Sequence, residues 1–67
     1  MLIASSSSLE GIIKLTNEFF YTTSIYLIES SKDCFEVFNS KGKVQSVIVN
    51  KKKGKYRLEK NGNKEKQ

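Results

Sequence analysis

Apolar and polar residues alternate between Cys34 and Leu58, CFEVFNSKGKVQSVIVNKKKGKYRL, in three short runs separated by two lysine–glycine turns. A period of two with β-branched and aromatic residues is the signature of strands, and the spacing predicts a three-strand antiparallel meander. The turns set the register. Asn39-Ser40-Lys41-Gly42 has the composition of a type I turn closed by a left-handed glycine, which places Val37 opposite Gln45 and Phe35 opposite Val47. A four-residue loop, Lys51 to Gly54, places Val49 opposite Tyr56 and Val47 opposite Leu58, keeping apolar residues together. A further strand, SIYLIES, precedes these through Ser31-Lys32, with Ile28 facing Phe35 and Tyr26 facing Val37.

Upstream the period changes. Leu9, Ile12, Ile13, Thr16, Phe19 and Phe20 recur at helical spacing, with Glu10, Lys14, Asn17 and Glu18 on the opposite side. Ser7 stands three residues before Glu10 in a capping-box pattern, while Gly11 lowers helix propensity by about 1 kcal/mol. The run Phe19 to Thr23 also suits a strand, but the adjacent pairs Ile12-Ile13 and Phe19-Phe20 favour the helix. The expectation is an α+β domain over residues 1–60: a helix at 8–21 packed on a four-stranded antiparallel meander at 24–30, 34–39, 44–50 and 55–60. Residues 1–7 are expected to be flexible, and 61–67 to form a disordered basic tail.

On these registers one sheet face collects Tyr26, Ile28, Phe35, Val37, Val47, Val49, Tyr56 and Leu58. The other carries Ile25, Leu27, Cys34, Phe38, Val44 and Ile48 among Glu29, Glu36, Ser46, Arg57 and Glu59, which is more apolar than a sheet face left in water. One helix covers one face. If the helix covers the all-apolar face, the mixed face around Ile25, Leu27, Phe38, Val44 and Ile48 is left as the expected partner or dimer interface; if it covers the mixed face, the tyrosine-bearing face is left instead. A 67-residue chain has only a marginal core, and its single cysteine offers no internal disulfide, so self-association is the next source of stability.

Charge adds a second candidate surface. Residues 51–67 hold eight basic and two acidic side chains, whereas residues 1–50 hold four and five, so the net charge of +5 sits in the last hairpin, last strand and tail. Lys51, Lys52, Lys53, Lys55, Arg57 and Lys60 form a basic ribbon suited to nucleic-acid phosphates. Lysine is a point charge without the planar fork that reads guanine, so such a ribbon holds the backbone without sequence preference. Tyr56, among these lysines, falls on the packed face.

Catalysis has little to draw on. The chain has no His, one Asp (Asp33) and one Cys (Cys34), and no Cys/His, EF-hand or phosphate-loop spacing. Glu29 and Glu36 share a sheet face in the expected register but read as two solvated strand carboxylates. No catalytic or metal site, cofactor or small-molecule substrate is expected. Met1 to Ala4 is too short for a signal segment and no apolar run reaches membrane-span length, so a cytoplasmic protein without membrane association is expected. Eleven lysines to one arginine, with many Ile and Asn, suit A/T-rich coding, as in a low-GC bacterium, its phage or a mobile element. The leading expectation is a non-enzymatic accessory protein that binds nucleic-acid backbone, as a homo-oligomer. The alternative is a protein–protein module docking through the apolar sheet face.

Overall fold

A computed structural model describes residues 2–61. It is an α+β fold of one helix and five antiparallel strands in one sheet: β1 (Leu2–Ser6), α1 (Leu9–Phe20), β2 (Tyr26–Ser31), β3 (Cys34–Asn39), β4 (Gly42–Lys52) and β5 (Lys55–Lys60). The spatial order is β1-β5-β4-β3-β2. The expected four-strand meander is thus extended by a fifth strand, built from residues expected to be flexible. β1 closes the edge beside β5, with Ala4 opposite Leu58 and Ser6 opposite Tyr56. Its sequence, LIASS, is short and only weakly alternating, so that an edge strand at Met1 to Ala4 is the lesser alternative to a flexible segment, and it pairs with the edge that β5 presents. The tail expected at 61–67 lies outside the described residues except for Asn61, whose N–H donates to the Ser46 carbonyl at 2.9 Å.

Ser8 caps the helix, one residue later than the capping box implied, and its Oγ accepts from the Gly11 N–H at 3.0 Å. The Ser8 N–H donates to Ser6 Oγ at 3.3 Å, a task that a glutamate carboxylate performs in a capping box. At the other end Tyr21 adopts φ 56°, ψ 48°, and its N–H and that of Thr22 return to the Glu18 and Asn17 carbonyls. The Asn17 side chain then accepts from the Ile25 N–H at 3.0 Å and ties the helix exit to the start of β2. Ile12 and Thr16 are fully buried, with Leu15 and Phe20 packed beside them, while Leu9 and Phe19 stay exposed. The buried stripe is rotated towards Leu15 relative to the expected one, because α1 lies along β1 and β5.

All three expected registers differ from those observed, and two of the differences change which side chains face the helix. Between β2 and β3 the pairs are Tyr26 with Phe38 and Leu27 with Val37, one residue from the expected pairing, and such a slip exchanges the faces of a whole strand. Between β3 and β4 the ladder starts with Asn39 opposite Gly42 and Val37 opposite Val44, then jumps to Glu36 opposite Ile48. Residues 45–47 have no partner in β3 across that jump. An odd number of inserted residues inverts the alternation, so Val44, Val47 and Val49 all point towards the helix. The β4–β5 hairpin has a two-residue turn, Lys53-Gly54, at φ 51° and 79°, not the four-residue loop expected. That moves the register by two, and the faces are unchanged: Val49 lies opposite Leu58, and both are fully buried.

Candidate binding surface: the open sheet face and the lysine hairpin

The helix covers the face of Leu27, Phe35, Val37, Val44, Val47, Val49 and Leu58. Of the five residues expected at a partner interface, Ile25 is buried in the core and Leu27 and Val44 pack against it. Their placement on the surplus face is corrected by the β2 slip and the β4 bulge. Phe38 and Ile48 do lie on the open face, joined by Tyr26 and Ile28, which the expected register had assigned to the core. Tyr26 and Ile28 are 48% and 47% exposed. The Tyr26 and Phe38 rings stack at 5.5 Å between centroids and 15° between planes. The slip was hard to foresee because YLIES is apolar on both faces, so neither register is penalised by its own sequence.

Rows across the open face follow from the ladders. One row runs Leu2, Glu59, Ile48, Glu36, Ile28, and the next, towards the β4–β5 turn, runs Ser5, Arg57, Asn50, Cys34. Beyond it stand Lys52 and Lys55, directly opposite each other. Both carboxylates of the face are paired: Glu36 with Lys43 at 3.0 Å, and Glu59 with Arg57 Nε at 3.0 Å and Asn50 Nδ2 at 3.3 Å. The hydrogen bond from Arg57 foremost, aided by that from Asn50 and by the positive charges of Arg57 and Lys52, lowers the Glu59 pKa against the opposing effect of burial. Glu29 stands opposite Phe35 on the helix side, so it and Glu36 are on different faces, contrary to the expected register.

The six expected nucleic-acid contacts separate into two groups. Lys52, Lys53, Lys55 and Arg57 line one open concavity of about 460 Å³ at the turn. Lys51 points to the helix side, its Nζ 5.3 Å from the Tyr56 ring centroid, and Tyr56 in turn packs edge-on against Phe35 at 5.8 Å. Lys60 lies opposite Val47, at the far end of β5. The concavity gathers four cations without an acid in its lining. Like charges placed directly across a ladder repel, and Lys53 occupies a turn position that favours Asn or Gly, so the cluster is held against its own electrostatics and backbone preference. A larger hollow of about 800 Å³ lies at the helix C-terminus, lined by Lys14, Asn17, Glu18, Tyr21, Thr22 and Thr23. Its charges are one of each sign, and Asn17 is committed to Ile25.

The chain matches no protein-family model, and no curated protein or solved structure is significantly similar to it. Among the described residues no helix is long and apolar enough to cross a membrane, and no group of three or more His, Cys, Asp or Glu side chains is placed to hold a metal ion.

Proposed function

We propose that this chain is a small, non-enzymatic accessory protein, acting in the cytoplasm, that holds the phosphate backbone of nucleic acid through its β4–β5 hairpin. The observation that carries the reading is the convergence of Lys52, Lys53, Lys55 and Arg57 on one concavity. A phosphate oxygen entering there relieves the Lys52–Lys55 repulsion and displaces counterions. Lys51 flanks the site from the helix side, and Lys60 is too far along β5 to share it. Binding measured over a salt series is the test. The expected result is a steep loss of affinity with salt, which becomes shallower when Lys52, Lys53 and Lys55 are changed to Gln. Absence of binding at low salt overturns the reading.

A second reading is docking of a protein, including another copy of this chain, on the open sheet face. The apolar patch on that face, in which Tyr26 and Ile28 are exposed and Phe38 and Ile48 half-buried, favours it. Association of that kind resists salt and is lost on Phe38→Lys or Ile48→Lys, with the hairpin lysines intact. Sedimentation of the wild type and these variants at low and high salt separates it from the first reading.

A further inference from the structure

The basic concavity and the aromatic pair share the open face of the sheet. Lys52 and Lys55 stand at one end of that face, with Arg57 one row further in, and Tyr26 and Phe38 stand at the other, about six residue steps or roughly 20 Å from the two lysines along the strands. The surface between them is not acidic in net terms. Glu36 and Glu59 are each neutralised by an ion pair at 3.0 Å, and against these two carboxylates the face carries Lys43, Lys52, Lys55 and Arg57, with Lys53 at its tip. Phe38 is stacked on one face of the Tyr26 ring, and Tyr26 lies on an edge strand with half its surface in solvent.

Resting on the phosphate-binding reading above, we propose that the ligand is single-stranded nucleic acid, laid along the open face with its phosphates at the hairpin and an unpaired base stacked on the outer side of Tyr26. The physical ground is the difference between what a duplex and a single strand present. A duplex offers phosphates and groove edges, and its base faces are occupied by their neighbours. A single strand offers phosphates and base faces together, and stacking on an aromatic ring tolerates every base. A base on Tyr26 extends an existing two-ring stack to three layers, and the Tyr26–Phe38 contact holds the platform in place before the ligand arrives. Net positive charge on the face complements a polyanion, and paired carboxylates on it add no net repulsion. Lysine contacts at one end and sequence-tolerant stacking at the other both leave base identity unread.

The test compares oligo-dT, oligo-U and a blunt DNA duplex of matched length, by fluorescence anisotropy over a salt series. The proteins are the full-length wild type, Tyr26→Leu, Phe38→Leu and the triple Lys52/Lys53/Lys55→Gln variant, each checked for its thermal transition. Leucine keeps the surface apolar and removes the ring, so a loss of binding is not a loss of fold or of greasy area. The expected result is single strands bound about tenfold or more tighter than duplex, a preference abolished by Tyr26→Leu with duplex affinity unchanged, and both ligands weakened by the lysine changes. Comparable affinity for dT and U places the readout on phosphate and base face; a large difference between them shows that the sugar is recognised and overturns the sequence- and sugar-neutral mode proposed. Equal binding of single strand and duplex, unaffected by either leucine variant, overturns the single-strand inference and leaves the hairpin reading intact. No binding of any oligonucleotide at low salt overturns both.

Discussion

Tyr21 takes a left-handed backbone conformation at the end of α1, with 96% of its surface in solvent. A side chain in that region costs about 1–2 kcal/mol, and glycine removes the penalty while adding about 0.5–1 kcal/mol of unfolded-state entropy. Tyr21→Gly is therefore expected to stabilise the protein by about 0.5–1 kcal/mol in urea unfolding. Gly11 behaves in the opposite way. Helix propensity alone values Gly11→Ala at about 1 kcal/mol of gain. In the fold a Cβ there collides with Ser6 Oγ and comes within 2.9 Å of Ser8 Oγ and 3.1 Å of Ser6 Cβ, the atoms that build the helix cap. Gly11→Ala is expected to lower the melting temperature, because the turn from β1 into α1 has to open to admit the methyl group. A glycine that reads as a liability in the sequence is the close-approach point of two elements.

Among the elements, β5 is the strand on which core, charge and edge meet. Leu58 faces the helix, Arg57 and Glu59 face out, and β1 covers its flank. The lowered pKa of Glu59 means that the folded state holds the carboxylate form more firmly than the unfolded chain does. Its contribution to stability is whole above the ordinary glutamate range of about 4.3, and is lost as pH falls through that range towards the folded value. Glu59→Gln is expected to be less stable than wild type near neutral pH, with the difference shrinking on the acid side. Chemical denaturation at a series of pH values checks this, and a constant difference would show that the pair with Arg57 contributes nothing through ionisation.

For the molecule as a whole, the decisive fact is which sheet face the helix covers. Phe38→Lys and Ile48→Lys fall on the open face, and each is expected to keep a cooperative melt with stability changed by about 1 kcal/mol or less. Val37→Lys, one residue from Phe38, puts a charge at a position with no exposed surface and is expected to prevent folding. Circular dichroism of the three variants distinguishes the two faces directly. A reversed order of stability would place the helix on the other side of the sheet. The same arrangement separates the candidate surfaces from the core: the concavity at the lysine turn and the aromatic pair are both left in solvent because α1 is the only layer packed on the sheet among the described residues.

The sequence by itself determined what depends on local chemistry. Periods of 3.6 and 2 mark one helix followed by strands. Gly42 and Gly54 mark two of the turns, and the concentration of lysine after residue 50 marks the charged hairpin. Even the misjudged length of the Lys51–Gly54 loop left Val47 and Val49 on the same face as Tyr56 and Leu58, because a slip of two residues preserves side-chain alternation. Tertiary structure decided what depends on a partner element. β1 exists because β5 has an edge to pair. Leu27 rather than Tyr26 turns inward because the segment is apolar on both sides, so its own pattern does not choose and the pairing with β3 does. Val44 joins Val47 and Val49 under the helix only through an odd insertion in β4, and no period-two reading of a single strand contains that information. Ile25, Leu27 and Val44, expected on the open face, were misplaced for this reason, whereas the run of lysines is local in sequence, and the tight turn decides that Lys52, Lys53, Lys55 and Arg57 meet while Lys51 and Lys60 stand apart.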